Sequence, residues 1–196
     1  MCGGLFNDKY LNYYERVPTQ RSNIGQQPEN LTERLVALAH SYACETKIEA
    51  RFRPHSRWAA KISSAPDHEA WLLAWLPGQG TDLHDHGGTG QPSNAAVKVI
   101  SGELSEYTVQ AGEFPRLHRR DLQAGDVSAV SNRTIHAMRN RSSLPAVSIH
   151  VYVPKLECMR TYLVDETGLT PSQIKLAGDD WAEASPFHSV DYVCKG

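Results

Sequence analysis

At 196 residues, with 20 Lys and Arg against 22 Asp and Glu, the chain has the length of a single domain and a formal charge of −2; this near-balance gives no electrostatic reason to expect nucleic acid as a partner. No apolar run approaches the roughly 20 residues that span a bilayer, and the segment from Met1 to Asp8 has no basic stretch followed by an apolar one, so neither a membrane nor a secretory signal is expected. Cys2, Cys44, Cys158 and Cys194 are scattered with no CxxC pair, which argues against a zinc finger or a disulfide framework and makes a reducing cytoplasm the default.

Residues 1–27 are polar, rich in Tyr, Asn and Gln, and read as an irregular lead-in. After Pro28 and Glu29, Asn30 with Glu33 three residues on has capping-box spacing, and Leu31, Leu35, Leu38 and Tyr42 recur at helical intervals. A helix over 31–43 with a core-facing stripe is expected. From about residue 48 the pattern turns to short strands: an apolar run over 69–77 ending in Pro77-Gly78-Gln79-Gly80, then Ala95 to Ile100, Val127 to Val130, Ile135 to Met138 and Ala146 to Val153. Such a series predicts a mainly β barrel or sandwich. The basic cluster Arg116 to Arg120 reads as a solvated loop, and Thr170-Pro171-Ser172 as the cap of a short helix. Residues 1–47 are thus expected to pack a lead-in and helix on a β core at 48–154, with 155–196, including Trp181, as an extension on the same core.

The chemistry concentrates at Leu83-His84-Asp85-His86-Gly87-Gly88. On a strand His84 and His86 share a face and Asp85 takes the other, so two imidazoles can reach one metal ion. His136 is the candidate third ligand. Gly78 before His84 and His86 gives G-x5-H-x-H, and Gly125, Ser131, Arg133, His136 and Asn140 give the second half of a two-motif pattern. This is the arrangement of the cupin barrels, with Ser131 and Arg133 in place of the usual Pro and Gly. The carboxylate that normally closes the first motif is missing: Gly90 and Gln91 stand there. A neutral three-histidine set suits Fe, Zn, Cu or Ni. Zinc would support hydrolysis, and iron(II) would let an anionic substrate and dioxygen bind side by side; the ligand set alone fits either.

The stretch Trp71 to Gly88, together with Ser148-Ile149-His150-Val151-Tyr152, resembles the bacterial cysteine dioxygenases, and the likeness runs from about Arg57 to Pro154. The resemblance implies a single cupin (jelly-roll) domain with an N-terminal helical segment, and Fe(II) held by His84, His86 and His136. It further implies oxidation of a small thiol to its sulfinic acid by O2, with Ser148, His150 and Tyr152 as a relay beside the iron. A monomer or small homo-oligomer with no nucleic-acid or membrane partner is expected.

Two departures bear on substrate and cofactor. Animal cysteine dioxygenases crosslink a cysteine to the relay tyrosine, whereas Gly90 or Ala95 stands at that place here, so Tyr152 is expected to be unmodified. The stretch from Gly88 to Ala95 is also longer, with Gln91-Pro92-Ser93-Asn94 expected as a loop at the barrel mouth. The family arginine that grips a substrate carboxylate aligns with Lys61, a point charge without the bidentate fork, and Arg57 takes that role if the segment shifts. A three-histidine iron oxygenase acting on a non-thiol metabolite, and a non-catalytic ligand-binding cupin, are the competing readings.

Overall fold

The structure, a computed structural model, describes residues 30–87, 91–110, 116–165 and 168–177. The lead-in, Gly88 to Gly90 and Trp181 lie outside the described residues. One helix, α1 (Leu31–Glu45), opens on Asn30, whose side chain accepts from the Thr32 amide at 3.0 Å. Leu35 and Ala39 are buried and Leu38 and Tyr42 pack beside them, so the helical stripe meets the outer face of a sheet. The Tyr42 hydroxyl lies 2.8 Å from both Ser63 Oγ and His68 Nε2, and Arg34 pairs with Asp67, which fastens the helix to the β1–β2 hairpin.

Eleven strands follow among the described residues. They are β1 (Trp58–Ser64), β2 (Glu69–Trp75), β3 (Leu83–Asp85), β4 (Asn94–Ser101), β5 (Glu103–Gln110) and β6 (Arg116–Gln123). β7 (Val127–Val130), β8 (His136–Arg139), β9 (Ala146–Val153), β10 (Cys158–Asp165) and β11 (Gly168–Leu176) complete the set. They form a five-stranded sheet ordered β1-β2-β9-β4-β7 and a six-stranded sheet ordered β11-β10-β3-β8-β5-β6. Every pairing is antiparallel. The sheets pack face to face and are not joined by hydrogen bonds into a closed barrel; this is the jelly-roll alternative.

Period-two alternation assigns the faces. On β2, Trp71, Leu73 and Trp75 join Val97, Leu104, Leu122, Met138 and Met159 between the sheets, while Ala70, Leu72 and Ala74 pack under α1. Burial on both faces is why this strand reads as a continuous apolar run.

Two expectations are corrected. Arg116 to Arg120 form most of β6, not a loop: β6 pairs with β5 at the sheet edge, where charged, exposed side chains are compatible with a strand and discourage further pairing. Thr170, Pro171 and Ser172 lie within β11, not at a helix start. β11 is also an edge strand, where proline's missing N–H is tolerated, and pairing with β10 overrides the local capping signal.

Candidate metal centre

The two motifs meet because their glycines turn the chain. Gly78 (φ 84°) and Gly125 (φ 101°) occupy the left-handed region that a Cβ disfavours, one after β2 and the other before β7. Buried Asn140 then stitches motif two to motif one. Its backbone exchanges 2.8 Å hydrogen bonds with Gly78 and Gln79, and its Nδ2 donates to the carbonyls of Trp75 (3.1 Å) and Leu144 (2.8 Å).

β3 and β8 pair with His84 directly opposite His136, and His86 follows one residue beyond β3 on the same face. The ring centroids are 4.6 Å apart for His84–His136, 5.0 Å for His86–His136 and 5.3 Å for His84–His86. One nitrogen from each lies within 4.8 Å of the others, and all three residues are buried. Asp85 takes the opposite face, accepting from Tyr162 Oη at 2.5 Å and from the Gly87 amide at 2.9 Å, which anchors the turn carrying His86. Ser93 fixes the other side of that turn, its amide donating to the His86 carbonyl at 2.9 Å.

The electrostatics suit a cation. Burial, then the electrostatic influence of the neighbouring His136, holds His84 and His86 well below the ordinary imidazole range, so both are neutral at physiological pH. His84 Nδ1 donates to the Asp82 carbonyl at 2.9 Å, which leaves the Nε2 lone pair free. His136 Nε2 faces His86 Nε2 at 3.2 Å. Buried imidazole nitrogens converging on one point are the donor set of a borderline divalent metal.

Sequence reading missed Glu106. It projects from β5 behind His136, with Oε1 3.3 Å from His136 Nδ1 and Oε2 accepting from Ser128 Oγ at 2.6 Å. Burial pushes its carboxyl up, but the hydrogen bonds from His136 and Ser128 outweigh burial and hold it below its usual value. Its alternation with buried Leu104 was the available signal, but it is visible only once β5 is recognised as a strand.

On the facing sheet, alternation along β9 brings Ser148, His150 and Tyr152 to the inner face, all buried. Tyr152 stands edge-on to His86, centroids 5.1 Å apart at 87°. Burial raises its phenol above the usual value; Arg57 opposes this and Glu69 adds to it, so the proton stays on the oxygen. Trp75 Nε1 donates to Ser148 Oγ at 2.9 Å, and Ser148 Oγ lies 3.0 Å from His150 Nε2. The indole is a donor only, so the serine proton is left for His150, an orientation in which a neutral imidazole keeps Nδ1–H as its own donor. Trp75 is thus a site residue, one that the sequence marks only as part of an apolar strand and of the family-like stretch Trp71 to Gly88. Ala95, one of the two positions considered for the crosslinking cysteine, is the β4 partner of Tyr152.

Burial first, then His136 and Arg57, pull His150 down to about 3. In the unfolded chain it titrates near 6.5, so stability is full above that value and falls as pH drops towards 3, because the unfolded chain binds the extra proton. Between about pH 7.5 and pH 5.5 this group alone removes about 1.4 kcal/mol. The stability gap between wild type and His150→Gln should shrink by that amount in urea melts at the two pH values. A constant gap would show that His150 is not held neutral.

The two candidate substrate residues have different fates. Lys61 lies on the inner face of edge strand β1 with its side chain 42% exposed, its Nζ 2.8 Å from buried Glu69 and 4.7 Å from the Trp71 ring centroid. Glu69 also accepts from Trp71 Nε1 at 2.9 Å. Arg57 is only 3% exposed. It donates to the Gly80 carbonyl at 3.3 Å, lies 5.5 Å from the Trp75 ring centroid, and acts electrostatically on His84, His150 and Tyr152.

A buried three-histidine cluster between the sheets of a mainly β jelly roll defines a cupin-type metal protein. A family model for cysteine dioxygenase type I matches residues 19–165, and the chain belongs to that family. It is 30% identical over 100 residues to cysteine dioxygenase type 1 of Danio rerio, covering 46% of this chain and 47% of that protein. The chain therefore spans about half the length of this curated relative. In solved structures it is similar to a double-stranded β-helix protein of Klebsiella pneumoniae (18% identity, TM-score 0.46, 66% of this chain and 99% of that one). It is also similar to a cupin-superfamily sugar phosphate isomerase of Silicibacter pomeroyi (16% identity, TM-score 0.44, 60% and 76%). Among the described residues no helix is long and apolar enough to cross a membrane.

Proposed function

We propose that the protein is an Fe(II)-dependent dioxygenase that converts a small carboxylate-bearing thiol to its sulfinic acid, RSH + O2 → RSO2H. The observation that carries this reading is the buried His84–His86–His136 cluster facing Tyr152 in a chain of the cysteine dioxygenase type I family. His84, His86 and His136 would hold the iron, which when bound supplies a Lewis-acidic, redox-active centre for the thiolate and dioxygen.

The chain's own groups do the rest. Arg57 supplies a buried cation within electrostatic reach of Tyr152 and is the group we assign to the substrate carboxylate. Lys61 is committed to Glu69. Tyr152 keeps its proton on the phenol oxygen and can donate a hydrogen bond to the reacting groups. Trp75 and Ser148 orient His150, and Trp71, Leu73 and Trp75 form an apolar wall that excludes water. The location assigned to this chemistry is the cytoplasm.

The test is oxygen consumption by iron-loaded protein with cysteine, 3-mercaptopropionate, mercaptosuccinate and cysteamine, with product mass measured. Uptake with at least one carboxylate thiol and a mass gain of two oxygen atoms is expected. No uptake with any of the four would overturn the assignment, and zinc-dependent, oxygen-independent turnover would replace it with a hydrolase.

A further inference from the structure

We propose that Glu106, clamped by Ser128, is the positioning residue of the metal centre. It would supply from behind His136 the negative charge that the first cupin motif lacks among its ligands. The inference rests on the metal-centre reading above.

Buried charged side chains among the described residues are Arg57, Glu69 and Glu106. Glu69 has the Lys61 ammonium as its counter-charge. The hydrogen bonds of the Glu106 carboxylate run to the Ser128 hydroxyl and the His136 imidazole. Arg120, opposite it on β6, acts on Glu106 electrostatically without an ion pair, and a carboxylate that is 4% exposed is costly to bury without a positive group in contact. A protonated His136 would supply that charge but would surrender the lone pair needed for a metal. A divalent ion on Nε2 supplies the charge through the ring and leaves the Nδ1–H···Glu106 bond intact.

That bond selects the tautomer. With Nδ1–H committed to Glu106, the lone pair of His136 sits on Nε2, the nitrogen that faces His86 at 3.2 Å. A carboxylate behind a ligating imidazole also makes the ring a stronger donor. The clamp spans the sandwich, since Glu106 belongs to the six-stranded sheet and Ser128 to the five-stranded one. The same contact that ties the sheets together therefore sets the angle of the third ligand ring. Gln91, at the usual place of the first-motif acid, is exposed, so no carboxylate replaces it there.

The test uses the full chain and Co(II) as a spectroscopic probe of the same nitrogen donors. Glu106→Gln keeps the shape and the hydrogen-bond acceptor but removes the charge; Glu106→Ala removes both; Ser128→Ala frees the carboxylate from its clamp. We expect Co(II) affinity, measured by chelator competition, to fall about 10- to 100-fold in Glu106→Gln and at least as far in Glu106→Ala. The visible ligand-field bands should shift in both variants. Ser128→Ala should lie between wild type and Glu106→Gln. Thermal melting of metal-free protein separates a structural role. Variants that lose melting temperature while keeping wild-type Co(II) affinity and bands would overturn the proposal. Wild-type protein that binds no Co(II) would overturn the metal-centre reading and this inference together. Normal wild-type binding with equal affinity in Glu106→Gln would overturn this inference alone.

Discussion

His84→Ala and His136→Ala should each purify without iron, and oxygen uptake should fall by at least about 10³-fold, since the metal supplies several kcal/mol at about 1.4 kcal/mol per tenfold in rate. The two residues face each other across β3 and β8, so either loss leaves two imidazoles where three converged. Their structural costs differ, and that makes the pair informative. Removing His136 strands Glu106, a buried carboxylate, and should lower the stability of the metal-free chain. Removing His84 gives up one hydrogen bond to the Asp82 carbonyl and relieves the crowding of buried rings. His84→Ala should therefore melt close to wild type when both are metal-free, yet hold no iron. Elemental analysis and melting curves of chelator-treated protein check both halves. Wild-type iron content in a well-folded His84→Ala would remove the cluster from the chemistry.

The positions that were legible in the sequence share a property: their signal is local. His84, Asp85 and His86 declare their faces by alternation, and Ser148, His150 and Tyr152 do the same on β9. Asn30 and the Leu35 stripe announce α1 within one turn. Glu106, Trp75 and Ser128 matter through partners 22 to 73 residues away, and local alternation can at most assign their faces, not name those partners. β6 and β11 were misread for a related reason. Edge strands carry exposed charge or proline, so local composition resembles loops and caps, and only the neighbouring strand makes them sheet. The substrate cation was ambiguous because alignment upstream of β2 depends on the β1–β2 hairpin. That hairpin contains a register shift between Lys61 and Ser63 that spacing cannot reveal.

The proposed assignment of Arg57 to the substrate carboxylate leads to a second large effect. Arg57→Ala should lower kcat/KM for carboxylate thiols by about 10²-fold, the cost of hydrogen bonds between charged partners at about 1.5–3 kcal/mol each. Arg57→Lys should recover part of the loss, since an ammonium keeps the charge without the planar fork. Because Arg57 also packs on Trp75 and binds the Gly80 carbonyl, loss of activity alone would not separate recognition from support. Cysteamine, which has no carboxylate, provides the separation: its kcat/KM should change far less than that of 3-mercaptopropionate in the same variant. Equal losses on both substrates would reduce Arg57 to a structural role. Lys61→Met makes the opposite case. It leaves Glu69 buried without its cation and should cost about 1 kcal/mol or more of stability. Its kcat/KM per folded molecule should stay within about threefold of wild type, because surface-reaching charges of this kind contribute little away from their own pair. If Lys61→Met instead loses the carboxylate thiols selectively, the clamp is Lys61, and its bond to Glu69 is a resting state that the substrate displaces.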